Sequence, residues 1–280
     1  MPSFRYVLAD VFADRPLAGN ALAVFTDARG LDDERMQALA RELNLSETVF
    51  VLPKQGEGQA RIRIFTPLRE LRFAGHPVLG AAFVIGTSVQ LERIVLETAA
   101  GLVPVRLERE AARVAFGWME QPLPRPVPFA DAPALLAALH LESSELPVAA
   151  YDNGLRHVFV ALPSPAAVAA LRPDMAALAR LPEVAVSTFA GRDTRWKTRM
   201  FAPAFGIAED PATGSAAGPL AVHLARHGRV PYGSTIEIEQ GAEIARPSRL
   251  LARAEGSAEG PSHVEVGGAA VIVARGEFRI

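Results

Sequence analysis

The sequence predicts an α+β protein of two similar lobes, each a curved sheet wrapped around one central helix. Three observations predict it. Short segments recur in the same order at nearly one spacing. Two helical segments are apolar or tiny on nearly every face. Most of the other ordered segments alternate, or are β-branched, as strands are.

The repeat carries the lobe count. "RIFTP" at Arg63–Pro67 returns as "RMFAP" at Arg199–Pro203, 136 positions on. "MQALAR" at Met36–Arg41 returns as "MAALAR" at Met175–Arg180, 139 positions on. "AGNALAVF" at Ala18–Phe25 resembles "NGLRHVFV" at Asn153–Val160, 135 positions on. A length of 280 residues allows one large domain or two of about 140. Between the copies, "QPLPRPVPFADAP" alternates prolines at 122, 124, 126 and 128. Neither a helix nor a central strand tolerates that run, so it reads as an extended linker. The expected boundaries are 1–120 for the first lobe, 121–129 for the linker and 130–269 for the second lobe.

The elements follow in order. "YVLADVF", "ALAVF", "ETVFVLP" and "ARIRIFTP" read as strands of the first lobe. "DDERMQALAREL" is an amphipathic helix with acids in its first turn. "HVFVALP", "WKTRMFAP", "STIEIEQG" and "AAVIVARGEFRI" supply later strands. "PVLGAAFVIG" and "SAAGPLAVHLARH" are the two buried helices.

Composition removes several functions. Half the residues are apolar, 21% are charged, and mean hydropathy is +0.17, which describes a globular chain with a substantial core. The net charge of -2 and scattered basic residues give nucleic acid or an anionic membrane nothing to attract. The absence of cysteine removes disulfides, thiolate metal sites and thiol nucleophiles. The N-terminus lacks a signal-peptide core, and the most apolar window, Val78 to Val89, is too short to span a bilayer, so a cytoplasmic protein is expected.

Gly75-His76 and Gly214-Ser215 align at the 139 spacing, and each pair opens a buried helix. Helix starts present N–H groups and the positive end of the dipole, and glycine admits a ligand close to the backbone. Two such ends suit a small carboxylate; taken singly, each glycine can equally serve a tight turn. Pro77 fits the first turn. "ATGS" lacks the lysine and spacing of a phosphate loop. His223 and His227 lack a third ligand and are expected on a helix surface or at its C-terminus. His157 is expected to be a packed strand histidine, and His140 and His263 carry no signal.

Glu47 stands between Ser46 and Thr48 at the entry to an apolar strand. At the 139 spacing its counterpart is Val186, so the acid is not repeated. Beside Val49, Phe50 and Val51 a glutamate would be partly desolvated, which raises its pKa toward general acid–base use. An exposed glutamate at a strand end is the other reading, and both stay open on these residues.

"AGNALAVF", "NLSETVFV", "FTPLRELRFAGHPVLGAA", "GIAEDPATGSAAGPL" and "EQGAEIARPS" resemble, in order and over essentially the whole chain, the motifs of the PhzF-like phenazine-biosynthesis family. The resemblance implies two lobes of the diaminopimelate-epimerase-like fold, with the site in the cleft between them and the C-terminal strand 270–280 returning to the first lobe. It implies a cofactor-independent isomerase in which Glu47 gives and takes the proton. His76 and Asp210 complete the catalytic set, and Asn20, Gly75, Gly214 and Ser215 bind a small carboxylate substrate. Glu209 is expected to be solvated. No cofactor, metal, nucleic acid or membrane is expected, and a homodimer is the expected assembly. Without cysteine, the two-thiol racemases of that superfamily are excluded. The alternatives are an epimerase or lyase with the same base, and a non-catalytic metabolite-binding protein.

Overall fold

The computed structural model describes residues 1–181 and 185–280. The chain divides into two compact units: residues 1–120 with 267–280, and residues 121–266.

The first unit contains β1 (Ser3–Val11), β2 (Asn20–Phe25), α1 (Asp33–Leu43), β3 (Glu47–Leu52), β4 (Ala60–Phe65), β5 (Glu70–Leu71), α2 (Gly75–Ser88), β6 (Arg93–Thr98), β7 (Gly101–Glu110) and β8 (Arg113–Glu120). β1 runs antiparallel to β2, and β2 parallel to β3. β3 and β4 are antiparallel; β4 then pairs antiparallel with β5 and parallel with β6. β6, β7 and β8 form an antiparallel meander. Each parallel pair needs a crossover, which α1 and α2 supply.

α1 forms where Asp32 caps its first turn, accepting from the Arg35 N–H at 2.8 Å. It ends where Asn44 turns left-handed at φ 50. Its buried Met36, Leu39 and Ala40 pack with Phe25, Phe50 and Phe65. Phe25 and Phe50 stack with centroids 4.8 Å apart. α2 has no polar face: Gly75 through Val84 are all buried. It touches β1, β2, β3, β6, β7 and β8, so the sheet bends round it. Gly80 permits that approach, since a Cβ there would stand 2.5 Å from Leu22 and 2.7 Å from Val11.

The second unit holds β9 (Arg125–Val127), α3 (Ala132–Ala138), β10 (Ala149–Asp152), β11 (Arg156–Ala161), α4 (Pro165–Ala170), α5 (Met175–Ala179), β12 (Ala185–Arg192), β13 (Arg195–Ala202), β14 (Ile207–Asp210), α6 (Gly214–Arg226), β15 (Thr235–Gln240), β16 (Ser248–Ser257) and β17 (Gly260–Gly268). The last two residues of β17 count with the first unit, as does β18 (Ala270–Arg279), which pairs antiparallel with β1. The pairing sequence of the first unit recurs. β10 is antiparallel to β11, β11 parallel to β12, and β12 antiparallel to β13. β13 is antiparallel to β14 and parallel to β15, and β15 antiparallel to β16. Both MxALA segments are helical, as α1 and α5.

The ladders revise two readings of the sequence. In the proline-rich segment, β9 pairs with β10 and Pro126 lies opposite Tyr151. A proline can sit in such a short strand because only one side needs its ladder. The counterpart of Glu47 is Ala185 rather than Val186: Leu22 faces Glu47 in the parallel ladder of the first unit, and His157 faces Ala185 in that of the second. Counting along the chain missed this because the connections between strands differ in length. Neither alternative is an acid.

The RxFxP repeat also has a physical meaning. Arg63 reaches Glu70 through two hydrogen bonds, Nε–Oε1 at 2.7 Å and Nη2–Oε2 at 2.6 Å, and lies over Phe65. Arg199 does the same to Glu209, with both bonds 2.8 Å, and lies over Phe201. Glu209 is therefore clasped rather than solvated. Burial beside so rigid a fork overrides the usual preference of a glutamate for water.

Candidate active site

Strand alternation decides which residues of the first unit face α2. Asn20, Leu22 and Val24 share one face of β2, and Leu22 packs on α2 at Gly80. The parallel register sets Glu47 beside Leu22 on that face. Thr48 and Phe50 turn the other way, Phe50 toward α1. Glu47 thus comes to the start of α2, where His76 is the second helical residue.

Glu47 is 7% exposed and His76 3%. His76 Nε2 lies 3.4 Å from Glu47 Oε2, and His76 Nδ1 lies 3.1 Å from the Asn20 amide nitrogen. Burial pushes the His76 pKa down to about 3, so the imidazole is neutral at pH 7. Asn20 is placed by Gly19, which takes φ 66 where any Cβ would meet the Val11 carbonyl oxygen at 2.3 Å. A buried carboxylate against a neutral imidazole is an arrangement that can accept a proton and hand it back.

In the second unit Asp210 ends β14 and is buried; its Oδ2 accepts from the Thr213 hydroxyl at 2.6 Å. The Gln240 amide nitrogen donates to Asp210 O at 2.7 Å and to Thr213 Oγ1 at 2.9 Å, while its Oε1 accepts from Thr213 N at 3.2 Å. This holds the turn that launches α6. Ser215, buried in the first turn of α6, has Oγ 3.1 Å from Nε2 of His157. His157 is wholly buried on β11, and burial pushes its pKa down to about 3 as well. α1, α4 and α5 carry side-chain caps on Asp32, Ser164 and Asp174, whereas α2, α6 and the short α3 begin without one. N–H groups at such starts suit an incoming carboxylate.

Pro219 lies inside α6 and has no N–H for the Ser215 carbonyl four residues back. Asn153 supplies the donor: its Nδ2 bonds Ser215 O at 2.9 Å. Beside it, Gln121 Nε2 bonds Gly214 O at 2.7 Å. Asn153→Ala should therefore cost about 1–3 kcal/mol, the penalty for a buried carbonyl left without a donor. In a Pro219→Ala background, where residue 219 regains its N–H, the same change should cost clearly less. Urea unfolding of the four chains measures this coupling, and equal costs in both backgrounds would show that Asn153 does not stand in for the missing N–H.

Each residue expected at the site is therefore placed. Glu47, His76, Asn20 and Gly75 come together in the first unit, and Asp210, Gly214 and Ser215 in the second. The sequence reading missed Gln121, Asn153 and Gln240, and gave His157 no role beyond packing. A proline in an apolar helix was the one available signal, since it demands a donor from elsewhere. His223 is corrected: it is wholly buried, with Nδ1 3.1 Å from the Tyr151 hydroxyl and its ring stacked on Phe159, because its face of α6 points into the core. His227 ends the helix as its C-cap. Among the described residues no group of three His, Asp or Glu side chains could hold a metal ion, and no helix is long and apolar enough to cross a membrane.

Residues 9–276 match the family described as phenazine biosynthesis-like protein. A trans-2,3-dihydro-3-hydroxyanthranilate isomerase of Pseudomonas aeruginosa is 55% identical over 272 residues, covering 97% of this chain and 98% of its own. The crystal structure of a phenazine biosynthesis protein of the PhzF family from Bacillus anthracis matches with a TM-score of 0.85 at 25% identity, covering 100% of both chains. A hydroxyproline epimerase from Agrobacterium vitis, 13% identical, shares the fold alone, with a TM-score of 0.66 over 99% of this chain and 92% of its own.

Proposed function

Because the chain belongs to the phenazine biosynthesis-like protein family, whose matching relative from Pseudomonas aeruginosa is an isomerase, we propose that it shifts a proton within trans-2,3-dihydro-3-hydroxyanthranilate, with Glu47 as the single acid and base and no cofactor. The observation that carries this reading is the buried Glu47 carboxyl beside a neutral imidazole. Glu47 takes the proton from one ring carbon, and the electron pair left behind spreads through the conjugated ring. The protonated Glu47 then returns the proton to another carbon of that system. One C–H bond breaks and one forms, so the oxidation level is unchanged and no redox partner is needed.

The other residues bind and orient. The first N–H groups of α2, around Gly75, suit a substrate carboxylate, and those of α6, around Gly214 and Ser215, have the same character in their own unit. Asp210, already fixed by Thr213, accepts from an N–H or O–H of the substrate. An epimerase that works from both faces of one carbon needs two bases. The position equivalent to Glu47 in the second unit is Ala185, which favours a one-base shift.

Incubation with trans-2,3-dihydro-3-hydroxyanthranilate in deuterated solvent tests the reading. The expected result is conversion to an isomer of unchanged mass apart from exchanged deuterium, followed by NMR. A compound recovered intact, with no thermal stabilisation of the protein in its presence, would refute the substrate assignment.

A further inference from the structure

We propose that Asn20 is a positioning residue: it fixes His76 as the Nε2–H tautomer, so that the imidazole faces the Glu47 carboxyl only as a donor and never as a proton acceptor. The inference deepens the proton-transfer reading of Glu47 and rests on it.

A side-chain amide nitrogen can only donate, so at 3.1 Å from Asn20 Nδ2 the His76 Nδ1 must offer its lone pair. A neutral imidazole carries one proton, which then sits on Nε2, the nitrogen 3.4 Å from Glu47 Oε2. Both side chains are buried, and Asn20 is held by the left-handed Gly19 turn and by its place in β2, so the amide has a defined seat.

The consequence is chemical. A base that must first be ionised to take a proton needs a neighbour that presents positive rather than negative charge density to it. With Nδ1 bare and Nε2 protonated, the His76 N–H dipole stands 3.4 Å from the Glu47 carboxylate and favours its ionised form electrostatically. Once Glu47 carries the substrate's proton, no lone pair on His76 faces it. The opposite tautomer would aim a lone pair at the ionised Glu47 carboxylate and repel it.

The test is a long-range ¹H–¹⁵N correlation spectrum of the histidine-labelled protein at pH 7. The chain has six histidines, and His76→Asn identifies the signal that disappears. The expected spectrum shows His76 protonated on Nε2 and bare on Nδ1; a proton on Nδ1 in the wild-type chain overturns the proposal, whatever any variant does. Asn20→Asp replaces the donor with an acceptor and should place a proton on Nδ1. Its turnover should fall about 10²-fold, the low end for loss of a general acid–base arrangement. Deuterium carried from labelled substrate into product should fall with it. A flipped tautomer with normal turnover would break the link to Glu47. Activity retained in Glu47→Gln would instead remove the proton-transfer reading and leave the tautomer assignment standing.

Discussion

Glu47→Gln should fold, bind its substrate and lose about 10²–10⁴-fold of turnover, the range that general acid–base groups supply. Glutamine preserves the shape of the side chain and still meets the His76 Nε2–H through its carbonyl oxygen, but it cannot take up a proton at neutral pH. The loss should fall on kcat, with binding retained. In any residual activity the acid-side limb of the pH–rate profile should vanish, because the group that must ionise is gone. His76→Asn and Asp210→Asn should lower binding and rate together, since both orient the substrate or the base. Stopped-flow turnover with a parallel thermal-shift titration separates the two classes. Near-normal turnover in Glu47→Gln would end the one-base reading and move attention to Asp210, the other buried acid close to a helix start.

The second large effect concerns stability. Arg199→Ala should cost about 3–5 kcal/mol, the usual result of removing one partner of a buried ion pair. The side chains of Arg199 and Glu209 are only 7% and 11% exposed. Arg199 Nη1 also donates to Leu171 O at 2.8 Å, just past α4, so the alanine variant strands a carboxylate and a carbonyl. Arg199→Met with Glu209→Leu should recover most of the loss, because the buried charges leave together. Arg63→Ala in the first unit should cost roughly 1 kcal/mol, since its partners Asp33 and Glu70 are 81% and 36% exposed. Urea midpoints of the three variants decide this. A loss for Arg199→Ala no larger than that for Arg63→Ala would show that burial of the clasp does not matter.

What could be read before the structure was whatever depends on local pattern. The β-branched, apolar run of "ETVFVL" and the apolar helices are such signals, and they locate Glu47 on a strand and His76 at a helix start. The repeated Arg and Phe of RxFxP were visible as letters, but their shared geometry depends on Glu70 and Glu209, which stand in segments too short to match by eye. The burial of Glu209 was misread because its partner lies on the neighbouring strand. Asn153 escaped for a related reason: it serves a carbonyl 62 residues along the chain. His223 was misplaced because spacing tells which residues share a helix face, not which way that face points. Glu47 is unrepeated whether its counterpart is taken by chain spacing, Val186, or by the ladders, Ala185, because differing loop lengths shift one against the other by a single position.

The pairing of β18 with β1 bears on how the protein is made. Ser3 meets Arg279 and Val11 meets Ala270, so the outer edge of β1 is completed by a strand that follows the whole second unit along the chain. On the ribosome, residues 121–266 are complete while β1 still shows an unsatisfied edge. That edge is nine residues long and rich in alternating apolar side chains, a template for stray pairing. The second unit lies wholly between the two strands along the chain, so it can form while β1 still waits for its partner.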